Sequence, residues 1–315
     1  MSINRPIWKL RDWIDNNKLC NYNLSKNSKA IDYLNKNKEI INWYSLSSLF
    51  EGIDLLSENI DMIDWNQFTL NEHPNAIKLF MNNLDKIDNY NLRRNKNPEV
   101  IKIILKYLNN SKLCDNFSHW WYLSRNPSAI EIIIDNQDKI NWSQLSGNTH
   151  PKAIELLKYN YDKIDWSQLS SNNSSDAIDI LKNNQDKIDW YLLSGNNNPK
   201  AIELLLDNYN KIDWYFFSGN NNPKAIELLF NNQDKISWYI LSNNNSIDAI
   251  KILKENQNKI VWKNFSKNPS IFKLDYNQMK INNYAMEEEL TREVMKPSRI
   301  FKYPNYDYIE ELFGD

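Results

Sequence analysis

Residues 151–170 read PKAIELLKYNYDKIDWSQLS, and residues 223–242 read PKAIELLFNNQDKISWYILS. Both open on Pro, continue through Ala-Ile-Glu-Leu-Leu, pass Asp-Lys-Ile and close on Trp-x-x-Leu-Ser. Self-similarity at a fixed period marks a repeat architecture. Trp142, Trp166, Trp190, Trp214, Trp238 and Trp262 recur every 24 residues, and Ala153, Ala177, Ala201, Ala225 and Ala249 keep the same interval. The basic period is 22, as between Trp43 and Trp65 or Trp120 and Trp142. Later units gain two residues in an Asn-rich connection: LSRNPSA from Leu123 becomes LSGNNNPKA from Leu193. Earlier units are degenerate, with Gly52 and Val100 in the Ala place and Asn89 in the Trp place. The segment KYLNNSKLCDNFSH from Lys106 stretches one unit to 31 residues between Asn89 and Trp120.

Each unit reads as two helices. The first starts at Asn-Pro (Asn198-Pro199, Asn222-Pro223), where Asn caps free N–H groups and Pro fits the first turn without losing a bond. Ala201, Ile202 and Leu205 form a stripe at helical spacing, broadened by Leu204 and Leu206. Asn136, Asn160, Asn184, Asn208, Asn232 and Asn256 fall seven residues after the Ala place. Because Asn tolerates the left-handed conformation that ends helices, they read as C-terminal caps. Asp165, Asp189 and Asp213, with Asn141 and Ser237 in the same place, cap a short second helix. On it Trp and the apolar residue three later (Leu169, Leu193, Phe217, Leu241, Phe265) share one side.

The period also suits a leucine-rich repeat, but that fold needs a strand with alternating side chains. Here the apolar pairs are adjacent, recur at i+4, and follow a Pro. The sequence therefore predicts an all-α solenoid of about ten helix pairs. Residues 1–17 are expected as an N-terminal cap, 18–274 as the array with its insertion at about 106–119, and 275–315 as a C-terminal cap and tail. In the tail, Leu290 and Val294 should pack on the last repeat. An open array of this kind would span roughly 80–100 Å. Single units cannot bury a core, so stability comes from stacking, with Trp166, Trp190 and Trp214 expected buried between units.

Net charge is only -2, with 38 basic against 40 acidic residues. This argues against a dedicated nucleic-acid or membrane-surface binder, though not against a local basic patch. Only Cys20 and Cys114 are present, too few for a disulfide framework or zinc site. No run approaches the ~18 apolar residues of a membrane span, and Met1 to Leu10 lacks the apolar stretch of a signal peptide. An intracellular location is the expectation. Asn makes up about one residue in six, as an AT-rich genome would write into tolerant positions.

The pattern N-P-x-A-I-x-L-L-x-x-N-x-D-K-I-D-W-x-x-L-S-x-N resembles the tandem repeats of nucleocytoplasmic large DNA viruses, over about Lys18 to Ile271. The stretch EEELTREVMKPSRIFKYPNYDY from Glu287 is similar to the tail closing many such proteins, with Pro297 and Arg299 in a Pro-x-Arg motif and Lys296 where the family often has His. The resemblance implies a viral origin and an infected cytoplasm or particle as the setting. It carries no catalytic residues.

No sequence motif supports an enzyme. His73, His119 and His150 lie at connections, and His150-Pro151 replaces Asn-Pro. HExxH, nucleophile-elbow, Walker and GxGxxG patterns are missing, and 5 Gly leave little for a phosphate loop. Neither a cofactor, a metal nor a small-molecule substrate is expected. Cys20 and Cys114 read as small core residues. Lys86, Lys139, Lys163, Lys187, Lys211, Lys235 and Lys259 form a ladder that could track a nucleic-acid backbone. Asp85, Asp138, Asp162, Asp186 and Asp234 precede five of them, which favours a solvated loop edge. Tyr191, Tyr215 and Tyr239, each following a Trp, are the candidate partner-binding residues; Tyr is a common interface anchor, and it also fills gaps between short helices. The expected function is a protein–protein interaction scaffold, with nucleic-acid association or a structural virion role as alternatives.

Overall fold

The computed structural model describes residues 6–83, 86, 91, 94–100 and 117–282. The fold is all-α, built of stacked helix pairs. In the unit at Asn198, that residue is extended and its side chain accepts the Lys200 N–H at 2.9 Å, starting the helix Pro199–Asp207. A single 3-10 turn, Tyr209–Lys211, follows. Asp213 then accepts the Phe216 N–H at 3.0 Å and starts the short helix Trp214–Phe217. Asn141, Asp165 and Asp189 cap their short helices in the same way, whereas the Ser237 side chain makes no such bond.

The Asn ladder ends the long helices by a different device from the one expected. Asn208 has φ -123 and ψ 50, and no described residue has positive φ. Its Nδ2 instead donates back to the Leu204 carbonyl at 2.9 Å, and Asn136, Asn160, Asn184, Asn232 and Asn256 do likewise. The side-chain amide thus satisfies a carbonyl that the helix end would leave open, and a left-handed cap is unnecessary.

The Ala residues at 153, 177, 201, 225 and 249 are fully buried, along with the Ile after each. The tryptophans are not. Trp166, Trp190 and Trp214 are half-buried, with one side against the core. A lysine from the next unit covers several of these rings: Lys187 Nζ lies 4.6 Å from the Trp166 centroid, and Lys235 lies 4.6 Å from that of Trp214. Lys86, Lys139, Lys163 and Lys259 are placed likewise over Trp65, Trp120, Trp142 and Trp238. Six of the seven ladder lysines thus make cation–π contacts between units, while most of the ladder stays exposed on the turn edge that the sequence suggested.

Two polar ladders run through the interior. Ser194, fully buried, donates from Oγ to the Trp190 carbonyl at 2.7 Å and accepts the Asp213 N–H of the next unit at 2.9 Å. Asn196, also buried, donates from Nδ2 to the carbonyls of Ser170 and Asn172 in the preceding unit, at 3.2 and 3.0 Å. Its Oδ1 accepts the Asn198 N–H at 3.0 Å. The buried hydroxyl and amide are thus satisfied partly within their own unit and partly across the unit boundary, as burial requires. The register positions Asn27, Leu49, Asn71, Asn95, Asn126, Asn148, Asn172, Asn196, Asn220, Asn244 and Asn268 mark eleven units.

The array closes on itself. Strand β1 (Trp8–Leu10) pairs antiparallel with β2 (Phe272–Leu274), matching Lys9 to Lys273. Beside this ribbon, the first unit docks on the last through the bonds used everywhere else. Cys20 N–H donates to Ser266 Oγ at 2.8 Å, and Asn27 Nδ2 donates to the Ser266 and Asn268 carbonyls at 3.1 and 2.9 Å. Lys18 sits over Trp262 at 5.2 Å, and the Trp13 ring lies 5.8 Å from that of Phe265. The expected open rod is thus corrected to a ring. With helices about 8–10 Å apart, eleven units give a circumference of roughly 90–110 Å and a diameter of about 30–35 Å at the helix axes. The proposed contacts of Leu290 and Val294, and residues 106–116 of the expected insertion, lie outside the described residues, while the last of that stretch, from Phe117, opens the helix Phe117–Arg125.

Candidate functional site

Equivalent groups of successive units converge toward the axis of a ring, so their spacing reports which wall they occupy. Neighbouring short helices, such as Trp142–Ser146 and Trp166–Ser170, approach each other along the backbone at least as closely as long helices nearly twice their length, such as Pro151–Tyr159 and Ser175–Lys182. The Tyr22 and Tyr44 rings, one unit apart, stack at 21° with centroids 6.4 Å apart. The long helices are bridged instead by extended side chains, as in Lys152–Glu131, Lys200–Asp179 and Lys224–Glu203. The short helices therefore line the inner wall, and the long helices form the outer one.

Tyr191, Tyr215 and Tyr239 stand on this inner wall and are 50%, 46% and 54% exposed. Packing links two of them: the Tyr191 ring lies 3.9 Å from Phe216 between centroids, and Tyr215 lies 5.3 Å from the same ring. The Tyr239 carbonyl accepts Asn264 Nδ2 at 2.9 Å. They are anchored at the base and free at the tip, so gap filling and solvent presentation occur together. Ring closure then adds residues that the linear order hid. After Lys263 the wall continues with Tyr22 and Tyr44, 41% and 46% exposed. Tyr44 Oη accepts Gln67 Nε2 at 2.9 Å. Lys26 Nζ donates to Tyr22 Oη at 2.8 Å, and this bond with the lysine charge holds the phenol below its ordinary value of 10.0. Five tyrosines and one lysine thus occupy six consecutive wall positions. Tyr44 and Trp121 carried the same signal in the sequence, an aromatic directly after a Trp.

Across the ring the equivalent positions are mixed, reading Asn66, Tyr90, Trp121, Ser143 and Ser167, of which Tyr90 lies outside the described residues. Beside Trp121 lies a cleft of about 650 Å³ lined by Arg94, Lys96, Tyr122, Arg125 and Gly147. A second cavity, about 500 Å³, lies at the seam and includes Trp8, Arg11 and Lys29. Lys29 Nζ is 4.1 Å from the Trp8 centroid, and burial, then the Arg11 charge, holds its ammonium below the usual 10.5.

The histidines serve helix starts. His73 Nδ1 accepts the Asn75 N–H at 3.1 Å and His150 Nδ1 the Lys152 N–H at 3.2 Å, while the His119 side chain lies outside the described residues. Cys20 is half-buried and precedes a short helix, and Cys114 lies outside the described residues. Among the described residues no group of His, Cys, Asp and Glu could hold a metal ion, and no helix is long and apolar enough to cross a membrane. In comparisons with known proteins, no family model matches the chain, and neither a curated protein nor a solved structure matches it.

Proposed function

We propose that the ring is a non-enzymatic scaffold that binds a protein partner on its inner aromatic arc. The observation that carries this reading is the run Tyr191, Tyr215, Tyr239, Lys263, Tyr22 and Tyr44 along one side of the wall, with each tyrosine more than two-fifths exposed. Tyrosine offers a large contact area at low entropic cost and a hydroxyl for orientation, which is why it anchors interfaces. A closed ring adds rigidity, so little ordering is needed on binding. The resemblance to giant-virus repeats supports an infected cell or particle as the setting.

The test places a photo-crosslinking residue at position 215 on the inner wall or at position 159 on the outer one, where Tyr159 is 81% exposed. A partner captured at 215 and not at 159, and lost when Tyr191 and Tyr239 become Ala, supports the reading. Capture from 159 alone overturns it.

A further inference from the structure

Elsewhere on the ring, several lysines that reach across a unit boundary meet a carboxylate there: Lys152 with Glu131, Lys200 with Asp179, Lys273 with Asp12. The cleft beside Trp121 breaks that pattern. Arg94, Lys96 and Arg125 all line it, no carboxylate among the described residues does, and none of the three is in an ion pair with a described acid. Three like charges gathered on one cleft repel one another and lower stability, so the arrangement calls for an anion to offset it.

The cleft also holds flat surfaces in fixed positions. Trp121 is 38% exposed and its ring is set at 81° to Tyr122, with centroids 4.7 Å apart. The Arg94 guanidinium lies 5.8 Å from the Tyr122 centroid. Arg125 donates from Nη1 to Gln168 Oε1 and lies against Gly147, where an added Cβ would stand 2.4 Å from that nitrogen. Glycine at 147 is thus what lets the guanidinium rest there. Its backbone (φ -89) suits any residue, so packing rather than conformation is the constraint.

We infer that this cleft binds a nucleoside phosphate, the phosphate held by Arg94, Lys96 and Arg125 and the base stacked on Trp121. Guanidinium forks match phosphate oxygens in geometry, and an exposed indole accepts any base face. The volume falls within the range of small-ligand sites and suits one nucleotide. An acidic peptide would satisfy the charges and leave the indole unused, so the aromatic face decides between them. The ligand is either a free nucleotide or one unit of a single strand, which share this chemistry.

The test is titration of the full-length protein by calorimetry with adenosine monophosphate, inorganic phosphate, a short single-stranded oligonucleotide and a poly-glutamate peptide. The nucleotide should bind more tightly than phosphate, and Trp121→Ala should abolish that difference while leaving phosphate binding intact. Arg125→Ala should weaken the nucleotide about tenfold or more, the scale of a charged hydrogen bond. Gly147→Ala, whose added Cβ has atoms of the Arg125 guanidinium as its three nearest neighbours and so displaces it, should give a loss in the same direction with the fold retained by circular dichroism. An oligonucleotide that binds more tightly than the mononucleotide identifies a strand as the source, and equal binding identifies the free nucleotide. Preference for poly-glutamate, no binding of any nucleotide, or nucleotide binding unchanged in both Arg125→Ala and Trp121→Ala overturns the inference.

Discussion

Asn27→Asp tests the polar ladder and the ring together. The substitution keeps shape and the acceptor oxygen that receives the Lys29 N–H at 3.0 Å. It removes the two N–H donors facing the carbonyls of Ser266 and Asn268, at 3.1 and 2.9 Å, in a fully buried site. The Asn268 carbonyl retains the Ile271 N–H at 3.2 Å, so its loss is partial. Two lost bonds with one carbonyl left poorly satisfied amount to about 2–4 kcal/mol, before the cost of bringing a carboxylate there. At Asn172 the same change acts between units joined by the chain, and at Asn27 between units held only by the seam. Asn27→Asp should therefore enlarge the radius of gyration in small-angle scattering and suppress the Lys9–Lys273 crosslink formed by an amine-reactive reagent. Asn172→Asp should lower the denaturation midpoint with the crosslink intact. Asn27→Asp with wild-type midpoint, scattering and crosslink would refute the reasoning.

Trp190→Ala should cost about 2–3 kcal/mol by denaturant unfolding, below the full-burial range, because the ring is half-buried. Converting Tyr191, Tyr215 and Tyr239 together to Ala should change stability by no more than about 1–2 kcal/mol in the same assay, since their tips face solvent. The seam also responds to pH through Asp12, whose carboxyl the Lys273 hydrogen bond and then the Lys273 charge hold below the ordinary 3.8. A depressed acid contributes stability above its unfolded pKa and loses it as pH falls through the folded one. The difference between wild type and Asp12→Asn in thermal midpoint should thus be present at neutral pH, begin to shrink near pH 3.8 and vanish only at lower pH, once the depressed folded pKa is passed.

The helix pairs were legible because their signals are local: Asn-Pro starts, the Ala-Ile-x-x-Leu stripe and Asp before Trp all act within one turn. The serine and asparagine ladders were equally periodic, in Leu-Ser-x-Asn, yet read as connection, because Asn is so common here that position carried the information and identity did not. Only the packed structure shows Asn196 buried with both donors used. The lysines were legible as an exposed edge, but the neighbouring Asp drew attention from the Trp 21 residues earlier over which the ammonium is placed, as Lys187 is over Trp166. The aromatic arc was half legible. Tyr191, Tyr215 and Tyr239 stood out by adjacency, whereas Tyr22 and Tyr44 join them only once the ends meet.

Why the ends must meet follows from the chemistry of one interface. Each unit offers donors on one side, the ladder amide and the N–H before its short helix, and acceptors on the other, the Ser Oγ and two carbonyls. An array cut open would present the Asn27 amide and Cys20 N–H at one end and the Ser266 and Asn268 acceptors at the other. Such complementary ends are heterologous: they close into a ring or add further copies without limit. Closure within one chain occupies both ends, and a second copy finds neither. The protein should therefore sediment as a monomer at every concentration. Asn27→Asp opens the ring by spoiling the donor end itself, so it should remain monomeric as well. Replacing the strand residues Leu10 and Leu274 with Asp weakens the ribbon and leaves both ladder ends intact, so this variant should form head-to-tail species that grow with concentration. If it opens in scattering yet stays monomeric up to the millimolar range, complementarity of the ladder ends is not what holds the ring shut.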